Sequence, residues 1–393
     1  MEKKPRKALF VLTMFIFWYA NYAFVPIFST YCKASGASVA MVGLIASAYG
    51  LSQLVSRIPL GIMSDSLGKR KIFILTFGFG SILVASSFMA LFPYPPVLFF
   101  MRLLTGVSAS SWVCATVMYS SYFNGCDSAR AIAVMNMTST SGQVAANFSG
   151  GLAADHISQA APFCMSAVSA AAGLVLCVFT VEKKQVAQEN RKKPDIKGLL
   201  SVGKNRLLVI ISLLAGLAQY ISFGLAITYV PLVARGMGAS DTELGVLAMC
   251  LPLAGLPANF IAGTRPLQYH RRKPIIIGCI FAMAVLSVIY MMVNSVGALI
   301  AVQSGLGFFR SLMFTVCMSM AIGGVAAEKR GSAMGFFQAV YSLGIFFGPL
   351  VTGWVCDGLG MAVGFYLTAV FAAVCGVAAV FALRRNADEV TIT

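Results

Sequence analysis

The sequence predicts an all-α membrane protein with twelve transmembrane helices, arranged as two pseudo-symmetric six-helix bundles. Three observations predict this fold class: the composition, the recurrence of long apolar stretches, and an internal repeat. Of the 393 residues, 59% are hydrophobic and only 11% are charged, and the mean hydropathy is +0.84. Because soluble domains carry about 25% charged residues, this composition leaves no room for a soluble domain.

Apolar stretches of about 20 residues, the length that crosses about 30 Å of hydrocarbon as a helix, recur along the whole chain. Their apolar character is continuous rather than alternating, which indicates helices instead of barrel strands. Twelve spans are predicted in chain order, at 8–31, 39–64, 72–92, 96–121, 131–155, 161–181, 207–233, 241–264, 274–294, 297–323, 331–355 and 362–383.

The positions of the basic residues explain the formal net charge of +16. With a cytoplasmic N-terminus, Lys33 and Arg235 are the only lysine and arginine in loops on the opposite side. Arg57, Arg102 and Arg310 lie within spans, and all the others fall on the cytoplasmic side. This positive-inside pattern predicts a multi-pass protein of the cytoplasmic membrane with both termini in the cytoplasm. It also predicts lipid headgroups, and not nucleic acid, as the contacts of the bases.

An internal repeat relates the two halves of the chain. A shift of 202 positions places the stretch from Lys33 to Gly43 on the stretch from Arg235 to Gly245. The same shift aligns further glycines and acids, namely Gly142 with Gly344, Gly151 with Gly353, and Asp155 with Asp357. Six spans in each half give a parallel repeat about an axis along the membrane normal. The predicted domains are a bundle at 1–181, a cytoplasmic linker at 182–206 and a bundle at 207–393.

The loop after span 2 reads GIMSDSLGKRK, from Gly61 to Lys71. It resembles the major facilitator superfamily, whose hallmark in this loop is GxxxDRxGRR. The residues that match in type and spacing are Gly61, Asp65, Gly68, Lys69 and Arg70, whereas Ser66 stands where an arginine is usual. The RLLTG of span 4 and the GIFFGPLVTGWVCD of span 11 extend the resemblance over essentially the whole chain.

The resemblance implies a secondary transporter that works by alternating access. It also implies that Asp65 holds the cytoplasmic ends of helices together in one state, beside Lys69 and Arg70. We expect Gly61 to let two helices approach closely. Arg57, about two turns inside Asp65, is assigned to the same gating region. Alternatively, the three bases at 69–71 are only topology anchors, and Arg57 reaches the cytoplasmic interface.

The charges within the spans suggest the class of cargo. All thirteen acids fall in tails, loops or helix ends, while an ionisable residue inside a span is a functional candidate because lipid burial is unfavourable. Arg310 is the deepest base, and Gln303 lies two turns earlier on the same face of span 10. In the superfamily spans 1, 4, 7 and 10 line the central cavity, which makes Arg310 and Arg102 cavity residues. Fixed positive charge predicts a small organic anion as cargo.

Two alternatives to the anion site stay open. Arg102 has a structural role in span 4, or Arg310 bonds to backbone carbonyls or to a distant acid. Other polar and aromatic side chains at helical spacing fit a cavity wall equally well, and suit an amphipathic or ring-bearing solute. These further substrate-binding candidates are Trp18, Asn21, Tyr22, Asn136, Gln143, Gln219, Tyr220 and Gln338. Amides at such positions can instead serve only to join helices.

Transport is the leading function, in a monomer that uses a small solute and a coupling ion. The first alternative is a proton-coupled multidrug efflux antiporter, against which the missing intramembrane acid argues. The second is a transporter-like sensor or assembly partner. An enzyme is not expected, because the two histidines lie at helix ends and no nucleophile, base and orienting group converge. No metal or other cofactor is predicted, since the ten cysteines form no CxxC pair or Cys/His cluster.

Overall fold

A computed structural model describes residues 4–123, 128–182, 205–262, 272–323 and 330–384. The side chain of Asp65 and most of the predicted linker lie outside this description. All regular secondary structure in the described ranges is helical. The helices of the first half are α1 (Lys4–Tyr22), α2 (Val25–Ala34), α3 (Val39–Leu67), α4 (Arg70–Phe73), a π-helical turn (Ile74–Gly80), α5 (Ser81–Leu91), α6 (Pro95–Ser110), α7 (Trp112–Ser120), α8 (Ser128–His156) and α9 (Ala161–Phe179).

The second half repeats this plan. Its helices are α10 (Arg206–Ile221), a π-helical turn (Ser222–Tyr229), α11 (Val230–Gly236), α12 (Asp241–Ala262), α13 (Arg272–Ile289), α14 (Val296–Gly323), α15 (Arg330–Leu359) and α16 (Met361–Arg384). Each predicted span corresponds to one helix or to two or three helical segments joined end to end. The prediction of an all-α membrane fold is confirmed.

Eleven helical segments of the described chain are long and apolar enough to cross a membrane. The fifth predicted span, α8, is not among them, although it forms a helix of 29 residues. The reason is its polar stripe, since Asn136, Thr140, Gln143 and Asn147 recur at helical spacing and lower the hydropathy. A span that packs mainly against other helices tolerates such side chains, because they need not face lipid.

Span 1 is broken between α1 and α2. Proline at position 26 has no N–H and its ring clashes with the preceding turn, so the helix stops at Tyr22 and restarts at Val25. The hydroxyl of Ser166 in α9 donates to the carbonyl oxygen of Ala20 at 2.5 Å, next to the break. The break is thereby accommodated without a buried, unpaired carbonyl at this position.

Span 7 has a related irregularity in its π-helical turn, which precedes Pro231. Thr228 Oγ1 donates to the carbonyl of Phe223 at 2.6 Å, and Gln303 Nε2 donates to the carbonyl of Ala226 at 3.1 Å. Side chains therefore satisfy carbonyls within the irregular turn. The corresponding spans of the repeat are both irregular in the segment before a proline.

The described residues group into two compact units. The first lies within Met1–Gly36, Leu51–Lys193 and Ser240–Met249, and the second within Ala37–Gly50, Pro194–Ala239 and Cys250–Thr393. In the first unit α1 packs on α8 and α9, and α5 packs on α9 and α6. In the second unit α10 packs on α15, and α13 packs on α16 and α14. The repeat-related spans 1 and 5, and 7 and 11, thus make equivalent pairs.

Candidate functional site

In the first unit α1 runs antiparallel to α6 and α7. Three contacts fix their register. Phe10 stacks on Tyr119 at 5.5 Å, and Trp18 meets Trp112 edge to face at 5.1 Å. Further along α1 and α2 the chain reaches Arg102, whose guanidinium lies 4.8 Å from the ring centroid of Phe28. Residue numbers rise along α1 and α2 as they fall along α7 and α6. This antiparallel register places Ser108 level with Asn21.

Five side chains form what we call the tryptophan strip: Trp18, Asn21 and Tyr22 of α1, Ser108 of α6 and Trp112 of α7. Trp18 is 9% exposed, and its ring contacts the half-buried rings of Tyr22 at 5.7 Å and of Trp112. Asn21 is 4% exposed and donates from Nδ2 to the carbonyl of Phe17 at 2.9 Å. The strip combines aromatic surface with polar atoms and carries no charge.

Three buried polar atoms of the strip have no hydrogen-bond partner among the described residues: Trp18 Nε1, Asn21 Oδ1 and Ser108 Oγ. Trp18, Asn21 and Tyr22 were predicted from the sequence, whereas Trp112 and Ser108 were not. The available signal was their spacing, because Ser108 and Trp112 are four residues apart on one helical face. Buried polar atoms are normally paired, so three such atoms at one level of the unit distinguish this place from the ordinary core.

Arg102 is buried against aromatic rings. Its guanidinium carbon lies 4.8 Å from the Phe28 ring and 5.8 Å from the Phe24 ring, and Nη1 donates weakly to Thr105 Oγ1 at 3.5 Å. Ring faces stabilise a cation of this kind electrostatically. These contacts favour the structural alternative for Arg102 over the predicted anion contact.

The polar stripe of α8 is spread over different environments. Asn136 is exposed, whereas Gln143 is half-buried and donates from Nε2 to Ser139 Oγ at 2.9 Å. Asn147 is buried and donates from Nδ2 to the carbonyl of Ala248 in α12 at 3.3 Å. Of the two predicted substrate contacts on this helix, Gln143 is the more buried and Asn136 is exposed. Asn147 joins two helices.

In the second unit the structure brings together two of the predicted site residues. Arg310 of α14 donates from Nη1 to Oε1 of Gln219 in α10 at 3.4 Å. Gln219 is buried, while Arg310 is half-buried. The guanidinium therefore lies beside an uncharged amide and is only partly buried.

Gln303 lies on the same helix but is fully engaged by the protein. It is 1% exposed, it accepts a hydrogen bond from the Tyr290 hydroxyl, and it donates to the π-helical turn of span 7. These bonds match the helix-joining alternative. Tyr220 is half-buried and its ring contacts Phe371 of α16 at 5.4 Å. Gln338 is half-buried in α15.

The loop after span 2 contains a left-handed residue. Gly68 has φ of +61°, a conformation that glycine adopts without steric penalty, and it ends α3 before α4 begins. Gly61, by contrast, is not at a close approach: a methyl group there would meet only Val113 Cγ1 at 3.9 Å, an ordinary contact. The expectation that Gly61 lets two helices approach closely is therefore wrong, because the neighbouring helix is far enough away for a side chain.

The bases of this loop bind within the first unit. The backbone amides of Arg70 and Lys71 donate to the carboxylate of Glu182, and Lys71 Nζ donates to the carbonyls of Val178 and Thr180 at 2.5 and 2.8 Å. An acid thus caps the start of α4 while a base caps the end of α9. Lys273, the repeat partner of Lys71, likewise donates to the Leu383 carbonyl of α16 at 2.7 Å.

The remaining gating candidates have separate surroundings. Arg70 is buried, Lys69 is exposed at the start of α4, and Arg57 donates from Nη2 to Gln53 Oε1 one turn earlier in α3. Asp65 was expected to hold the cytoplasmic ends of helices together, and its side chain lies outside the described part of the chain. Within the described ranges, no three His, Cys, Asp or Glu side chains are grouped to hold a metal ion.

Comparison with known proteins agrees with this architecture. The model of the Major Facilitator Superfamily matches residues 10–264 and 208–392. An uncharacterized MFS-type transporter of Methanocaldococcus jannaschii is 24% identical over 95% of this chain and 98% of its own length. The inner membrane transport protein YajR of Escherichia coli K12 is 25% identical over 86% of this chain and 75% of its own length.

Solved structures show the same fold. A bacterial homolog of the human lysosomal transporter Spinster, in an inward-facing and occupied conformation, has a TM-score of 0.77 at 15% identity and covers 98% of both chains. The nucleoside transporter NupG has a TM-score of 0.78 at 14% identity, over 96% of this chain and 99% of its own. The loop motif, the repeat, the helical architecture and the family match agree, so this multi-pass membrane protein belongs to the major facilitator superfamily and is a transporter of small solutes.

Proposed function

We propose that the protein is a secondary active transporter that moves a small organic anion across the cytoplasmic membrane by alternating access. Both termini lie in the cytoplasm, a coupling ion shares the cycle, and the monomer is the working unit. The observation that carries the proposal is the Arg310–Gln219 pair of the second unit. A half-buried guanidinium attracts an anionic group and binds it through charge-assisted hydrogen bonds.

The distribution of acids supports this choice of cargo. The predicted spans leave all thirteen aspartates and glutamates in tails, loops or helix ends. A cationic drug would need a fixed negative charge, or a ring face, to offset its desolvation. NupG carries nucleosides, but at 14% identity its likeness shows the fold alone and does not choose the cargo.

The test uses purified protein in liposomes with a panel of labelled mono- and dicarboxylates. We expect counterflow of at least one of them. Arg310→Gln keeps a hydrogen-bonding amide but removes the charge, and it should lower that flux by about tenfold or more. Arg310→Lys should retain part of it, and Lys33→Gln, which removes an exposed charge in the last turn of α2, serves as the matched control.

Two results would contradict the proposal. One is anion counterflow that Arg310→Gln leaves unchanged. The other is a protein that moves lipophilic cations in step with an imposed pH gradient and shows no anion exchange, which would favour the multidrug antiporter. Binding of a solute without any turnover would favour a sensor.

A further inference from the structure

The tryptophan strip has a hydrogen-bonding deficit that the fold itself does not require. Trp18 Nε1 is a donor, Asn21 Oδ1 is an acceptor and Ser108 Oγ is either, and none has a partner among the described residues. Their side chains are 9%, 4% and 0% exposed. Native proteins rarely leave several buried polar atoms unpaired in one place, so such a group calls for an explanation, and contact with a ligand is one.

The strip is closed in this structure, but its rim is not rigidly buried. Tyr22 and Trp112 each contact Trp18 and are themselves half-buried. Trp112 also begins α7 directly after the turn at Ser111, where α6 ends. A planar ring that replaces either rim ring against Trp18 keeps the aromatic contact and brings its own polar edge to the unpaired atoms.

We propose that the tryptophan strip is a subsite for a planar, uncharged ring that carries a hydrogen-bond acceptor next to a donor, as an aromatic amide does. The acceptor receives the indole N–H of Trp18, and the donor binds Oδ1 of Asn21. Charge plays no part in this recognition, because none of the five side chains is ionic. Arg102, the base that precedes Ser108 in α6, contacts Phe24, Phe28 and Thr105.

This inference deepens the proposed function and rests on it for its meaning, since the ring would belong to the transported solute. It is tested by binding, so that it stands or falls separately from flux. Ring binding at the strip in a protein that shows no anion counterflow would count against the proposed function. Anion counterflow in a protein that binds no ring at the strip would count against the subsite.

The probes are three small molecules. Benzamide offers a planar ring with an amide, cyclohexanecarboxamide has the same amide on a non-planar ring, and methyl benzoate keeps the planar ring without a donor. The readout is tryptophan emission of the full chain in detergent. The protein has three tryptophans, and the third, Trp354, is 72% exposed. In a Trp354→Phe background the emission therefore reports Trp18 and Trp112 alone.

We expect benzamide to shift the emission and to bind about tenfold more tightly than either of the other two probes. Trp18→Phe keeps a ring but removes the N–H, and Asn21→Leu keeps the volume but removes the acceptor. Each should weaken benzamide by about tenfold. Asn21→Leu should at the same time raise the unfolding temperature of the free protein, because it removes an unpaired buried atom.

The matched control is Asn147→Leu, since Asn147 is also a buried asparagine whose Oδ1 has no partner among the described residues. It should leave benzamide binding unchanged. The proposal is overturned if benzamide binds no better than cyclohexanecarboxamide, or if Asn21→Leu binds benzamide as tightly as the parent. It is also overturned if Asn21→Leu lowers the unfolding temperature, which would make Asn21 a structural residue.

Discussion

Two helix junctions that the repeat relates to each other are built by different means. In the first unit the end of α8 packs on the start of α12, and in the second unit the end of α15 packs on the start of α3. Both junctions are closed by a pair of glycines, Gly151 with Gly245 and Gly43 with Gly353. A methyl group at Gly43, Gly151 or Gly245 would overlap atoms of the facing backbone, and one at Gly353 would overlap the Tyr229 hydroxyl and lie 3.2 Å from Gly43 Cα. These helices therefore pack backbone to backbone.

Each junction also places an acid at the start of the facing helix. Asp155 accepts a hydrogen bond from Thr242 Oγ1 at 2.6 Å at the start of α12. Asp357, its repeat partner, accepts one from the backbone N–H of Val39 at 3.0 Å at the start of α3. A carboxylate at a helix N-terminus is favourable because it meets unpaired N–H groups and the positive end of the helix dipole.

The polar groups between these two contacts differ. In the α8–α12 junction Asn147 donates to the carbonyl of Ala248, and Gln159 donates to the carboxylate of Asp241. In the α3–α15 junction the repeat places Pro349 at the position of Asn147, and proline has no side-chain amide. Instead, the hydroxyl of Tyr229 from span 7 donates to the carbonyls of Pro349 and Val39 at 3.1 and 3.3 Å. Close backbone contact therefore requires glycine at both junctions. The hydrogen bond, by contrast, comes from a different helix in each.

The junctions also differ in length. In α3 the backbone contact continues to Gly50, where a methyl group would overlap the backbone at Ile345 and Phe346. The repeat places Pro252 of α12 at the position of Gly50, so the glycine of this contact is not repeated there. The α3–α15 junction therefore relies more on close packing, and the α8–α12 junction relies more on side-chain hydrogen bonds.

The largest effect is expected from enlarging the contact glycines. Gly43→Ala should lower the free energy of unfolding by about 1–3 kcal/mol, because the methyl group overlaps the Tyr229 hydroxyl and the Pro349 carbonyl. Gly245→Ala should have the smaller effect of the two, since the close packing at its junction is shorter. Thermal unfolding in one detergent measures both. Gly236→Ala, where nothing lies within 4 Å, is the control and should be close to neutral.

A medium effect should separate the two polar fillers. Tyr229→Phe keeps the ring but removes the hydroxyl, which should destabilise the protein by about 1 kcal/mol. Asn147→Leu loses one long hydrogen bond but also removes an unpaired oxygen, so its effect should be near zero or slightly stabilising. Equal losses in both variants, measured by the same unfolding assay, would show that the two fillers are equivalent after all.

The smallest effect concerns the exposed acids. Asp357→Asn and Asp155→Asn keep an acceptor but remove the charge, so each should reduce stability by about 0.3–1 kcal/mol at low ionic strength. Salt screens such interactions, and the difference from the parent should shrink as ionic strength rises. A salt-independent loss would mean that hydrogen-bond geometry, and not charge, is what these acids contribute.

Much of the fold follows from the sequence for simple reasons. Long apolar runs locate the spans, and Pro26 and Pro231 mark the irregular segments of spans 1 and 7. The repeat aligns Gly43 with Gly245 and Gly151 with Gly353. It does not show that Gly43 contacts Gly353 or that Gly151 contacts Gly245. That contact depends on how helices from distant parts of the chain pack, which a linear pattern cannot encode.

The candidate site was only partly predictable. Helical spacing identified Trp18 and Asn21, and intramembrane charge identified Arg310, because both signals are local in the chain. Arg102 carries the same charge signal, but its aromatic neighbours Phe24 and Phe28 come from another helix. Trp112 was missed for a similar reason, since an isolated tryptophan gains meaning only from the antiparallel register of α1 with α6 and α7.

Cysteine labelling at position 310 shows whether this residue is reached from both sides of the membrane, as alternating access requires. A single cysteine replaces Arg310 in a background without the ten native cysteines, and membrane-impermeant maleimide is applied to oriented vesicles from one side or the other. Alternating access with position 310 at the transport site predicts labelling from both sides. A cysteine at this position that stays unreactive from both sides would contradict the account.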